Sequence, residues 1–194
     1  GRDGGPAPMT VTVVTDSAAA LPADVATRHG VRIVPLTLHL GDERHRDGEI
    51  GLDELVAQFD GPITTSAPSP GEFLAEVAPA VEAGPVLVLT VSSRMSGTYQ
   101  SALVACRHLG DRVRVLDTGT AAGAQGLVVL AAAAAAGEGG DLAQVTGVAR
   151  EVARRVHLVA TVDDLERLAR SGRVPDAARW LGDRLGMQPL FEFR

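Results

Sequence analysis

The sequence predicts a doubly wound α/β domain with a mainly parallel sheet, followed by a second α/β domain that is incomplete in this chain. Three observations carry that reading. Short apolar, β-branched runs alternate with helical stretches from Thr10 to Arg155, the pattern of strands joined by crossover helices. Pro85-Val-Leu-Val-Leu-Thr-Val91 is apolar throughout, as expected of a strand covered on both faces. Gly137-Glu-Gly-Gly140 then breaks the pattern, and a new strand starts at His157. The expected organisation is a flexible leader over 1–8, a first domain over 9–155 and the beginning of a second over 156–194.

Thr10–Thr15 reads as the first strand, and Leu21-Pro-Ala-Asp opens a short helix ending near Gly30. Val31–Leu40 reads as one strand whose Pro35 places it at an edge or a bulge. Gly41–Gly48 is expected to be a charged turn, Leu52–Phe59 a helix and Ile63–Thr65 a short strand. Ser69-Pro70-Gly71-Glu72 combines an N-cap serine, a proline at the first helical position and a glutamate at the third, so a helix starts near Pro70. Strand 86–91, helix 98–109, strand 112–116, an alanine-rich helix over 121–136 and a helix over Leu142–Arg155 follow. Beyond them are expected a strand over His157–Val162, a helix over 163–170, the turn Ser171–Pro175, a helix to about Leu185 and a strand over Pro189–Phe193.

The chain has 194 residues, 45% hydrophobic and 22% charged, enough to bury a substantial core. A formal charge of −6 with no basic stripe argues against a nucleic-acid surface. The single cysteine, Cys106, cannot form an internal disulfide and reads as a core thiol in an apolar helix, which favours a reducing, cytoplasmic setting. No secretion signal is evident, and the longest uncharged stretch, Thr118–Gly137, is mostly alanine and glycine, a buried helix rather than a membrane span. All 18 basic residues are arginine. The absence of lysine removes Walker-type loops, Schiff-base chemistry and Ser-x-x-Lys nucleophiles.

Hydroxyl residues cluster just past the expected strand ends: Thr15-Asp16-Ser17, Thr64-Thr65-Ser66, Ser92-Ser93 with Ser96-Gly97-Thr98, and Asp117-Thr118. In a parallel sheet those ends share one edge, where open α/β sheets place ligands. Ser, Thr and Asp are also ordinary caps and turn formers, and that reading fits Asp16-Ser17, Asp117-Thr118 and Ser69. The Ser92–Thr98 loop holds more hydroxyls than capping requires, and a strand-to-helix loop of this kind can bind an anion through hydroxyls and backbone N–H groups. Arg94 and Gly172-Arg173 fit either a structural role or contact with an anion.

These motifs, Thr15-Asp16-Ser17, Thr65-Ser66-Ala67-Pro68-Ser69, Ser92-Ser93-Arg94-Met95-Ser96-Gly97-Thr98-Tyr99-Gln100-Ser101-Ala102 and Gly172-Arg173-Val174, resemble in order and spacing the DegV family of bacterial fatty-acid-binding proteins. The resemblance implies a two-domain protein enclosing one long-chain, palmitate-like fatty acid between its domains. It places carboxylate binding on Thr65 or Ser66 and on Ser96; the N–H groups of Gly97 and Thr98 are expected as further donors, Arg173 is counted with the binding residues, and no metal or cofactor is expected. It implies a lipid carrier; some members of that family present the acyl chain to a separate fatty acid kinase, and family chains run on through the rest of a second domain whose distal part commonly supplies a histidine near the carboxylate. Ala67 stands where the family often has glutamine, and Ser171 where it often has glycine.

A carboxylate needs donors, and each charge-assisted hydrogen bond contributes roughly 1.5–3 kcal/mol. A tail of about a dozen methylenes contributes on the order of 10 kcal/mol before ordering costs, so the tail sets affinity and the head sets orientation. Two other classes compete with a carrier. A serine hydrolase or acyltransferase using Ser96 lacks Gly-x-Ser-x-Gly and a recognisable histidine partner among His29, His39, His45, His108 and His157. A nucleotide-binding or phosphoryl-transfer protein has only the architecture in its favour. No His and Asp/Glu spacing matches a metal-ligand motif.

Overall fold

The computed structural model describes residues 10–57, 63–161 and 190–193. Two compact units divide the chain, 1–156 and 157–194.

The first unit is built on a four-stranded parallel sheet. Its strands are β1 (Thr12–Asp16), β2 (Arg32–Val34), β6 (Val86–Thr90) and β7 (Val113–Asp117), in the order β2-β1-β6-β7. β6 is central and every one of its residues is buried, as its unbroken apolar run requires. Side chains alternate across the sheet, so the strands feed two cores. On one face Val13, Leu87 and Leu89 meet α1 (Ala23–Arg28), α5 (Ala122–Gly137) and α6 (Leu142–Arg155) through Ala26, Val128, Ala132, Val145 and Ala149. On the other, Val14, Val86 and Val88 meet α3 (Pro70–Ala83) and α4 (Thr98–Cys106) through Phe73, Val77, Ala80, Ala102 and Cys106. Helices on both faces of a parallel sheet make the domain doubly wound.

Local chemistry accounts for the helix ends. The Ser69 capping box at α3 is complete in both directions, and Asp141 with Gln144 forms another at α6. The chain turns between α5 and α6 through Gly139, whose φ of +87° suits glycine, and Gly140, where a Cβ would stand 2.9 Å from the Ala135 carbonyl oxygen. Alanine-rich α5 lies in the core as expected, and no helix among the described residues is long and apolar enough to cross a membrane. Cys106 is buried, and burial pushes its thiol up to about 11, away from nucleophilic use.

The structure corrects the sequence reading between Val31 and Ser66. The single strand expected over Val31–Leu40 is two strands in different sheets, β2 and β3 (Thr37–Leu40). Pro35 lacks an N–H, and the Leu36 N–H donates to Ser17 Oγ at 3.0 Å, so the chain leaves the parallel sheet at this point. The expected charged turn over Gly41–Gly48 contains β4 (Glu43–Arg46), which forms a hairpin with β3. Its sequence Glu-Arg-His-Arg has no apolar alternation because it is the edge of a small sheet, where charge blocks further pairing. β5 (Ile63–Ser66) completes that sheet in the order β4-β3-β5, antiparallel to β3. Thr64, Thr65 and Ser66 therefore lie within a strand of a second sheet rather than past the end of a parallel one.

α2 (Leu52–Ala57) lies within the helix expected over Leu52–Phe59. In the second unit, β8 (Leu158–Thr161) pairs antiparallel with β9 (Leu190–Phe193), and His157 Nδ1 lies 3.0 Å from Glu192 Oε1. The helices expected over 163–170 and up to Leu185, and the Ser171–Pro175 turn, lie outside the described residues.

Candidate functional site

The strand order reverses between β1 and β6, since the chain moves outward from β1 to β2 and then crosses back to β6 and β7. The edge beyond the carboxyl ends of those two strands is the topological switch point, the usual ligand position in such sheets.

The loop after β6 is held in place by its own backbone. The Ser92 carbonyl accepts the Met95 N–H at 2.9 Å and the Ser96 N–H at 3.2 Å, while Ser92 Oγ accepts the Arg94 N–H at 3.3 Å. The loop after β7 braces it from the side: Ser92 N–H donates to the Thr120 carbonyl at 2.8 Å, and Ser93 N–H is shared by both Asp117 oxygens at 3.2 Å. Ser96 Oγ lies 2.8 Å from Thr98 Oγ1 and accepts the Thr98 N–H at 3.3 Å. Ser96 is half-buried, Gly97 exposed and Thr98 buried. The hydrogen bonds of Ser96 Oγ thus go to Thr98, and none reaches a histidine among the described residues.

Gly97 is the N-cap of α4 and offers no side chain to the N–H groups of the first turn. Ser96 Oγ takes the first of these, the Thr98 N–H, and N–H groups left without a cap at the positive end of a helix suit a negative group. α3 lies beside α4 on the same face of the sheet. It ends at Ala83 just before β6 begins at Val86, whereas α4 begins after β6 ends. Both helices therefore run opposite to the strands, and both N-termini stand at the carboxyl edge.

That direction gives Thr65 and Ser66 their position. They end β5 and lead through Ala67 and Pro68 into the Ser69 cap of α3, so they approach the same edge from the small sheet. Both are exposed; Thr65 pairs in register with Leu38, and Ser66 Oγ lies 3.0 Å from His39 Nε2. The structure brings Ser96, Gly97 and Thr98 together in one loop and sets Thr65 and Ser66 at the entry to the neighbouring helix. Arg173 lies outside the described residues. No cluster of three or more His, Cys, Asp or Glu side chains among the described residues is arranged to hold a metal.

At this edge lies a polar group that spacing alone leaves among ordinary turn formers. Asp16 is fully buried at the end of β1. Its Oδ2 accepts the Val91 N–H at 2.8 Å, and its Oδ1 accepts the Ala18 N–H at 3.0 Å and Gln125 Nε2 at 3.3 Å. Loss of hydration raises its pKa above the usual carboxylate value, against the opposing pull of those donors. Buried Gln125 also donates to Thr15 Oγ1 at 3.1 Å. The only sequence signal of this network is an Asp directly after an apolar strand, which fits many turns equally well.

The fold is a doubly wound α/β domain with a hydroxyl-rich loop at its switch point. A family model described as "Uncharacterised protein, DegV family" matches residues 10–194, and the chain belongs to that family. A DegV domain-containing protein of Streptomyces coelicolor is 38% identical over 187 residues, 94% of this chain and 66% of that protein. The chain thus spans just under two thirds of the length of this relative. A fatty-acid-binding DegV family protein from Thermus thermophilus has a similar structure, with a TM-score of 0.86 and 38% identity over 96% of this chain and 68% of that one. DegV from Bacillus subtilis, described as a fatty acid binding protein, gives 0.84 and 29% over the same shares. A stearic acid-binding protein from Eubacterium ventriosum gives 0.81 and 26% over 95% and 67%.

Proposed function

We propose that this protein binds a long-chain fatty acid as a carrier, with the carboxylate at the N-terminus of α4. The observation that carries this reading is the α4 terminus itself. The Ser96 and Thr98 hydroxyls converge 2.8 Å apart on a helix end whose N-cap has no side chain. The Ser96–Thr98 hydroxyl pair and the first-turn N–H groups beyond Thr98 supply the donors, and Thr65 or Ser66 approaches from β5. The likeness to the T. thermophilus and B. subtilis fatty-acid-binding proteins supports the ligand class.

The reading requires no catalysis. A hydrolase needs a base on its nucleophile, and the partner of Ser96 Oγ is Thr98, a hydroxyl that orients without taking a proton at neutral pH. Presentation of the acyl chain to a fatty acid kinase in the cytoplasm extends the carrier role, and acyl phosphate formed on addition of ATP and such a kinase would test it. The carrier reading is tested by solvent extraction and mass spectrometry of the purified protein, which should release a long-chain fatty acid in roughly stoichiometric amount. Protein that yields no lipid and takes up no palmitate when offered it would refute the reading.

A further inference from the structure

We propose that Asp16 is a positioning residue for the head-group site: its buried carboxylate fixes the backbone at Val91 and so sets where Ser96 and the first turn of α4 stand. This rests on the reading of the Ser96 loop as a carboxylate site.

The paired positions of β1 and β6 run from Thr12 with Val86 to Thr15 with Leu89, and beyond them the two strands part at the switch point. There the side chains of β1 replace its backbone as partners. Thr15 Oγ1 donates to the Leu89 carbonyl at 2.9 Å, and Asp16 Oδ2 accepts the Val91 N–H at 2.8 Å. The opposite side of the same segment is tied to the loop after β7, through Thr118 N–H to the Thr90 carbonyl at 3.1 Å and Ser92 N–H to the Thr120 carbonyl at 2.8 Å. Removing Asp16 would free one side of a segment clamped from two.

What Asp16 holds is the root of the binding loop. Val91 is bonded to Ser92, whose carbonyl takes the N–H groups of Met95 and Ser96. One side-chain hydrogen bond and one loop turn therefore separate the Asp16 carboxylate from the Ser96 hydroxyl. Only an acceptor on both oxygens suits the place, because the neighbours of Oδ1 and Oδ2 are all donors: the Val91 and Ala18 N–H groups and Gln125 Nε2. An asparagine would turn its NH2 against one of them, and a buried mismatch of that kind is costly. Gln125 steadies the carboxylate from α5, and its own Oε1 has no partner among the described residues, so a methionine there would remove one hold on Asp16 together with a buried oxygen that the described residues leave unpaired.

The test measures palmitate and hexadecanol binding to the full chain, its Asp16→Asn variant and its Gln125→Met variant, with amide hydrogen exchange at Met95 and Ser96. Hexadecanol has the same tail without the carboxylate. Asp16→Asn is expected to weaken palmitate about tenfold, to change hexadecanol less than twofold and to speed exchange at Met95 and Ser96. Gln125→Met should shift all three readouts in the same direction by a smaller factor. If Asp16→Asn does not fold, Gln125→Met decides the matter alone. A folded variant that binds palmitate as tightly as the wild type, or that loses both ligands equally, would overturn the role given to Asp16. Wild-type protein that binds neither ligand would instead bring down the carboxylate reading, and the exchange rates would still show whether Asp16 fixes the loop.

Discussion

α3 and α4 lie side by side on one face of the sheet, point the same way, and finish their N-termini differently. At α3, Ser69 Oγ accepts the Glu72 N–H at 3.3 Å, and Glu72 Oε2 accepts both the Ser69 N–H and the Ser69 hydroxyl at 2.8 Å. The helix carries its own negative charge where its dipole is most positive. At α4 the equivalent place is Gly97, which has no side chain; Ser96 Oγ accepts only the Thr98 N–H, at 3.3 Å, and lies 2.8 Å from Thr98 Oγ1. Two serines near two helix ends therefore differ in kind. Ser69 is held in a reciprocal capping box, whereas Ser96 takes only the first N–H of its helix, and the proposed carboxylate would take the place that Glu72 fills at α3.

The largest effect is expected when α4 is made to resemble α3. A Cβ at Gly97 would meet nothing within 4 Å, so Gly97→Asp is accommodated and places a carboxylate where the ligand's would sit. Like charges at one site repel, and palmitate affinity should fall by about 100-fold, with the unfolding free energy changed by less than about 1 kcal/mol. Fluorescent fatty-acid displacement with urea unfolding would measure both; unchanged palmitate affinity would place the carboxylate elsewhere. Next in size is Ser96→Ala. Losing one charge-assisted hydrogen bond of roughly 1.5–3 kcal/mol should weaken palmitate at least about tenfold and leave hexadecanol unaffected. Turnover of an activated ester that vanished in this variant would point to a nucleophile instead.

The difference between the two helix ends is partly legible in the sequence. Ser69-Pro70-Gly71-Glu72 spells out a capping box within four residues, and the crowding of Ser92, Ser93, Ser96 and Thr98 exceeds what one helix start needs. Both are local patterns, and local patterns survive in sequence. The parallel strands and their covering helices are legible for the same reason, since Val86–Thr90 and Ala122–Gly137 each carry their burial in composition. The second sheet is not legible. β4 is a polar edge strand whose pairing is decided by β3, and Pro35 hides a change of sheet inside what reads as one apolar run. Nor is the tie between Asp16 and Val91, which joins residues 75 apart in the chain and exists only because the sheet order sets β1 beside β6.

The smallest expected effects lie at α3, where the comparison predicts loss of stability without loss of binding. Ser69→Ala should cost about 1 kcal/mol, the ordinary value of an N-cap, and leave palmitate affinity unchanged within twofold. Glu72→Gln gives a finer reading through pH. The hydrogen bonds from the Ser69 backbone and hydroxyl, with a smaller contribution from Arg46, hold the Glu72 carboxyl below its ordinary value of 4.5. A carboxylate held low in the folded state stabilises the fold above the unfolded value and loses that contribution as pH falls through the folded one. Wild-type stability should therefore decline on acidification below about pH 4.5, and Glu72→Gln should flatten part of that decline. Urea midpoints measured between neutral pH and the acid limb would resolve the change. If Glu72→Gln instead shifted palmitate affinity and left the acid limb untouched, Glu72 would belong to the ligand site, and the contrast between a closed α3 and an open α4 would fail.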